Sequence, residues 1–252
     1  MTERMPKACE LTSRWRLPRE LSGREYAAAR RCNRTLRLVS GAFVVMAIPL
    51  REQPSYEELS DHIGTWGRME NTRNQTRRYL MGFSRSLPEA HILPAVNGFN
   101  YTETIDALMR SGLPFRNLSR SGLKWGVLAT FLTHHRALVH QVRHRLPFQI
   151  TLEEDLHLRR TPFLQLAETA CATAARSPEA DLLQLSPYGE VRLTSLRGAT
   201  HILQVLKEWG ILRNIDQQLF DPAVMGRCHR VLKLTQHMRA ARSERPFILG
   251  RQ

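Results

Sequence analysis

Phe148-Gln149-Ile150-Thr151-Leu152-Glu153-Glu154-Asp155-Leu156 is the stretch whose reading decides the fold. Phe148, Ile150 and Leu152 alternate with polar residues, the two-residue period of a half-buried strand, and three carboxylates follow where that strand should end. In open α/β sheets ligands gather at the carboxyl ends of strands, so an acidic triplet there would sit at the mouth of a site. Glu153 and Asp155 stand two apart and point the same way in extended chain. Hard divalent cations take oxygen ligands, and Mg²⁺ or Mn²⁺ binds through one or two carboxylates plus the phosphates of a nucleotide. An acidic cluster at a strand end is more often a solvated turn or a helix N-terminus.

Working outward, Lys124 to Arg145 immediately upstream is the strongest helix pattern in the chain. Val127, Leu128, Phe131, Leu132, Leu138, Val139 and Val142 form one broad apolar face. His135 lies at the middle of that face, where a histidine is ordinarily a hydrogen-bonded core residue; His134, nearer its rim, is the better functional candidate. Ala42 to Leu50 is a continuous apolar run with β-branched residues, as expected of a strand buried on both faces, and Ala90 to Val96 is another strand ending in the turn pair Asn97-Gly98. Thr104 to Met109 reads as a short helix.

Downstream, about Pro162 to Arg176 is helical, Asp181 to Ser186 is a short strand, Pro187-Tyr188-Gly189 a turn, and Glu190 to Thr194 an alternating strand. Ser195 caps a helix that runs to Glu208 and stops at Gly210. Strands separated by helices give an α/β fold with a mostly parallel sheet flanked by helices. The expected organisation is a basic N-terminal arm over 1–40, disordered or helical, a core domain over 41–228, and a basic helix and tail over 229–252.

The chain has 252 residues, enough for one sizeable core, and a composition of 42% hydrophobic and 24% charged residues that is globular. Its net charge of +14 is nearly all arginine and favours polyanions: nucleic acid, an anionic membrane or phosphorylated substrates. Aromatic residues, at 7%, are not interleaved with the arginines, which argues against a base-stacking platform. Arg73 and Arg77 share a helical face and are able to clamp a diphosphate, or simply face solvent. Cys9, Cys32, Cys171 and Cys228 form no C-x-x-C pair, so neither structural zinc nor a disulfide framework is expected. There is no G-x-G-x-x-G and no P-loop motif. No apolar run reaches the ~20 residues of a transmembrane span. The lack of an export signal points to the cytoplasm.

Five stretches, in order, resemble the lipooligosaccharide and procollagen galactosyltransferases, glycosyltransferase family 25. They are Ala95-Val96-Asn97-Gly98; Gly126 to Thr133-His134 within the long helix; Leu152-Glu153-Glu154-Asp155-Leu156; Leu193-Thr194-Ser195-Leu196-Arg197-Gly198-Ala199; and Ile215-Asp216. The likeness covers about residues 90 to 220. Asn97 stands where the family has an acidic residue, Thr133 where it has serine, and Glu154 where it has aspartate. The resemblance implies a GT-A-type, Rossmann-like nucleotide-sugar fold and an inverting, metal-dependent hexosyltransferase that moves galactose or glucose. It implies Mn²⁺ (or Mg²⁺) on Glu153 and Asp155, and a uridine diphosphate sugar held near Asn97, His134 and Glu154 with help from Arg73 and Arg77. Asp216 would be the base or orient the acceptor, unless it merely caps a helix, and the acceptor would be a glycan, lipid-linked or protein hydroxyl. Some relatives work in the secretory lumen. The alternatives are a non-enzymatic nucleic-acid-binding protein and an inactive member of the family.

Overall fold

The computed structural model describes residues 43–47, 90–98, 100–114, 123–153, 160–186, 189–220 and 230–233. The basic arm, Arg73, Arg77, Glu154 and Asp155 lie outside the described residues. In chain order the elements are β1 (Phe43–Ala47), β2 (Ala90–Pro94), α1 (Tyr101–Ser111), α2 (Trp125–Arg143), β3 (Phe148–Glu153), α3 (Arg160–Arg176), β4 (Leu182–Gln184), β5 (Val191–Ser195), α4 (Leu196–Trp209), α5 (Ile215–Phe220) and β6 (Val231–Lys233). The six strands form one sheet in the order β2-β1-β3-β5-β4-β6. Among the described residues no helix is long and apolar enough to cross a membrane.

The sheet is α/β but mixed, which corrects the expectation of a mostly parallel one. β1 runs parallel to β2 and β3, and β4 parallel to β6, but β5 is antiparallel to both β3 and β4. The reason is local. β4 and β5 are joined by the short 185–190 connection, in which Gly189 takes φ 85°, and a connection that short returns the chain only antiparallel. A second correction concerns the end of the chain: where a helix is expected from about His229, Val231–Lys233 is a strand in register with Leu182–Gln184.

The two faces of the sheet are built differently. Ile150 and Leu152 of β3 and Val191 and Leu193 of β5 pack with Phe163, Leu166, Ala167 and Ala170 of α3 in an apolar core. The alternate residues of the same strands, Gln149, Thr151, Arg192 and Thr194, are also buried, but they lie under α2 and are polar. The alternation that suggests a half-buried strand therefore describes one buried on both faces. The glutamine and Thr194 side chains there make bonds that fix α2 over the sheet. Gln149 Nε2 donates to Ala137 O (2.9 Å), Gln141 Nε2 to Thr194 O (2.9 Å), and Thr194 Oγ1 to Gln141 Oε1 at 2.5 Å. Unmade bonds in that layer would cost about 1–3 kcal/mol each, so its register is strongly specified.

α2 ends in a turn that delivers the chain directly to β3. Arg145 takes the left-handed conformation (φ 51°), Leu146 N donates to Gln141 O and Arg145 N to Val142 O. This is the paired bonding of a Schellman stop, and Pro147 forbids further helix. α1 is capped by Asn100, whose side chain accepts from Glu103 N, and closes on Gly112 at φ 63°. Ser195 caps α4 as expected, accepting from Gly198 N at 3.0 Å.

Candidate functional site

β3 leaves the sheet at Glu153, beside the exits of the parallel β1 and β2, and β5 enters at the same edge because it runs the other way. Glu153 therefore meets residues from the 189–190 turn and the start of β5. Its backbone N donates to Glu190 O at 3.2 Å. Its side chain is 24% exposed and turns toward α2, where His134 is 1% exposed.

The hydrogen bonding of His134 can be assigned from its neighbours. A guanidinium only donates, and Arg192 Nη2 bonds His134 Nδ1, so Nδ1 is the acceptor. Nε2 then carries the proton and donates to Glu153 Oε1 at 3.0 Å. Burial, and then the Arg192 charge, hold the His134 pKa well below its usual value, so the ring bridges Arg192 and Glu153 as a neutral imidazole. Such a ring fixes a carboxylate without sharing its charge.

Asp216 reaches the same cluster from α5. Asn214 Oδ1 accepts from Gln217 N at 2.8 Å and is the helix cap, so Asp216 is left in the first turn with its carboxyl available. The fully buried Gln218 ties the helix down, donating to Gly210 O (2.7 Å) while its Oε1 accepts from Leu212 N (2.8 Å). Gly189 completes the approach. A Cβ added there would lie 2.8 Å from Asp216 Oδ1 and 2.6 Å from the Phe220 ring, so only glycine lets the turn pass this close.

The electrostatics are unbalanced. Burial raises the Asp216 pKa to about 6, with Arg192 opposing and Glu153 and Glu190 adding to the rise. Glu153 is raised too, by burial first, against the pull of Arg192. Arg192, 1% exposed, is lowered to about 10 by burial although Asp216 and Glu153 favour its charge. Three buried atoms of the cluster have no hydrogen-bond partner: Arg192 Nε, Arg192 Nη1 and Asp216 Oδ1. A guanidinium with unmet donors beside carboxylates with raised pKa values is a common signature of sites that bind or move charge.

Of the residues marked in the sequence, Glu153, His134 and Asp216 are brought together. Asn97 lies at the exit of β2, buried. Thr104 Oγ1 donates to its carbonyl (3.2 Å), and the neighbouring Val96 N donates to Thr133 Oγ1 (2.9 Å), the residue before His134. Arg192, Glu190 and Gly189 escape the sequence reading. Arg192 had a signal: a long cation within the otherwise alternating Val191-Arg192-Leu193-Thr194, on the face shared with Gln149, Thr151 and Glu153.

No protein-family model matches the chain, and no curated protein matches it.

The donor chemistry can be tested against the expected cation. Oε1 of Glu153 is engaged by His134, which leaves Oε2, and Asp216 offers an unmet oxygen; both are the hard donors that Mn²⁺ and Mg²⁺ prefer. Among the described residues no three His, Cys, Asp or Glu side chains form a complete ligand set. The donors of Glu153 and Asp216 are thus of the type that suits a hard cation, without forming a ligand set by themselves among the described residues.

Proposed function

We propose that the protein is a metal-dependent, inverting glycosyltransferase that moves a hexose, galactose or glucose, from a nucleoside diphosphate sugar to a hydroxyl of a glycan, lipid-linked or protein acceptor. The observation that carries this reading is the pairing, where β3 ends and β5 begins, of Asp216, whose carboxyl is pushed up to about 6 by burial, with the partly unsatisfied Arg192 next to Glu153. The order of the five family-like stretches supports it independently, since Glu153, His134 and Asp216 come from three of them.

In this reading Asp216 is the general base. A carboxylate with a pKa of about 6 is ionised at neutral pH and still basic enough to take a proton as the acceptor hydroxyl becomes acidic. The acceptor O–H gives its proton to Asp216 while its oxygen bonds to the sugar carbon. The bond from that carbon to the phosphate oxygen breaks, and the diphosphate leaves with the electron pair. Glu153, oriented by the neutral His134, and Asp155 would hold Mn²⁺ or Mg²⁺, which supplies Lewis-acid stabilisation of the charge on the leaving diphosphate. Asn97 and Glu154 would bind the donor, with Arg73 and Arg77 adding positive charge, as the family resemblance implies. Arg192 keeps the two acids from repelling the diphosphate.

The test is a melting-temperature screen of nucleotide sugars with and without Mn²⁺. A ligand at a hundredfold excess over its Kd stabilises by about 2.7 kcal/mol, which is roughly 5–10 °C for a chain of this length. The shift should require metal and nucleotide sugar together and should vanish in Asp155→Ala. No shift with any nucleotide sugar, accompanied by steeply salt-dependent binding to nucleic acid, would instead support the non-enzymatic alternative.

A further inference from the structure

At the other end of β3 from Glu153, two histidines pack against a third, His140. His91 of β2 stacks on His140 of α2 with ring centroids 5.1 Å apart and planes 10° apart, and His140 meets His144, one helical turn on, at 4.6 Å. Neither the fold nor the proposed chemistry needs them there. His91 and His144 are exposed, so their packing serves no apolar core.

Gln149 decides which nitrogen of His140 is available. The Gln149 amide nitrogen is committed as a donor to Ala137 O at 2.9 Å, so its Oε1 is the atom 3.1 Å from His140 Nδ1. Nδ1 must then donate, and the lone pair of His140 lies on Nε2. A buried acceptor that fixes one ring nitrogen and leaves the other as a ligand is the arrangement found behind metal-binding histidines.

We propose that His140 and His144, with His91 as a third ligand, form a site for a borderline divalent transition metal such as Zn²⁺, separate from the catalytic cluster. Histidines four apart on a helix share one face and chelate such ions. With Zn–N bonds of about 2.1 Å, two imidazoles on a tetrahedral ion have centroids about 5 Å apart, which the present separations match. The separations fit while the ring orientations do not: no three ligand side chains among the described residues already converge on one point. Closing the site takes rotation of the two exposed rings about His140, which stays fixed by Gln149; exposed side chains change rotamer within nanoseconds. The flanking Arg143 and Arg145 are on the solvent side, where water and salt screen their charge. Imidazole nitrogen suits Zn²⁺, Ni²⁺ or Cu²⁺, whereas carboxylate oxygen is the ligand type that suits Mn²⁺ and Mg²⁺, so the two proposed sites differ in the ions they suit.

The experiment is calorimetric titration of the tag-free full chain with Zn²⁺ in a non-coordinating buffer, with Mn²⁺ present to occupy oxygen-rich sites. His144→Gln and His91→Gln change exposed side chains, so both variants should fold. His144→Gln should weaken the tightest Zn²⁺ binding by about tenfold or more, and His91→Gln should weaken it less. His201→Gln, remote on α4, should leave it unchanged. Unaltered Zn²⁺ affinity in His144→Gln, or a loss found instead in His201→Gln, would overturn the assignment whatever the outcome of the nucleotide-sugar screen.

Discussion

Asp181 and Asp216 are carboxylates near opposite ends of β5, and their surroundings push them in opposite directions. Asp181, just before β4, is 1% exposed. Its Oδ2 accepts from Arg230 N and from His201 Nδ1, each at 3.1 Å, and its Oδ1 is ion-paired with Arg197 at 3.2 Å. Burial alone would raise its pKa, but those bonds and the charges of His201 and Arg197 outweigh it, and the pKa is lowered. Asp216 has one oxygen with no partner and is raised to about 6. The contrast separates two uses of a buried acid. Asp181 spends its bonding capacity on joining β4, α4 and the start of β6, whereas Asp216 keeps an oxygen and a proton affinity in reserve. Asp181 Oδ1, like Asp216 Oδ1, lacks a hydrogen bond, but Arg197 ion-pairs with it while Oδ2 takes two bonds; an acid anchored in this way holds the fold together, and one without such anchors is available for chemistry.

Breaking the reserve should cost most. Asp216→Asn is nearly isosteric and cannot take a proton, so turnover should fall by about 10²–10⁴-fold, the usual contribution of a general base. The melting temperature should not fall with it, because a poorly solvated charge is removed. A large loss of stability with activity retained would place Asp216 with Asp181 as a structural acid. Next comes Arg192→Met, which leaves Glu153 and Asp216 without their nearby cation. Removing one partner of a buried charge cluster costs about 3–5 kcal/mol, readable by denaturant titration. The same variant should move the acid limb of the rate–pH profile above its wild-type position, because Arg192 is what opposes the rise at Asp216. An unmoved profile would mean that Asp216 is not the titrating base.

Much of this arrangement is legible in the sequence, and the parts that are not share a cause. The helix over α2, the Ser195 cap, the Gly210 stop and the acidic end of β3 follow from local patterns that no tertiary contact overrides. Sheet direction is the opposite case: alternating strands and helices suggest parallel pairing, although the Pro187-Tyr188-Gly189 turn between two strands already implies a hairpin. Strand β6 is too short, at Val231–Lys233, to show a period, and its pairing with β4 is the only thing that makes it a strand. Arg192 is missed because polar residues on an alternating strand ordinarily face water, and nothing local reveals that α2 covers them. His134 reads as a rim residue of the apolar face, yet it is as deeply buried as the core because Arg192 and Glu153 satisfy both of its ring nitrogens.

The smallest effect is a difference in slope, and it tests the contrast without any substrate. A carboxyl whose folded pKa is lowered contributes stability that is present above its unfolded pKa and lost as pH falls through the folded value. Asp181, lowered from 3.8, should therefore add an acid-labile contribution below about pH 4 that Asp181→Asn abolishes. For Asp216 the sign reverses. With a folded pKa of about 6 and an ordinary value of 3.8, the native state binds the extra proton between those limits, so stability should decline as pH rises across that window. The width of that window sets a ceiling near about 3 kcal/mol, and partial exposure brings the expected decline to about 1–3 kcal/mol. Denaturant midpoints measured from acid to neutral pH should thus show two opposed limbs, the upper one flattened by Asp216→Asn and the lower one by Asp181→Asn. If either substitution flattened the other's limb, the two acids would be coupled through the sheet, and the division into a bonding carboxylate and a reactive one would have to be given up.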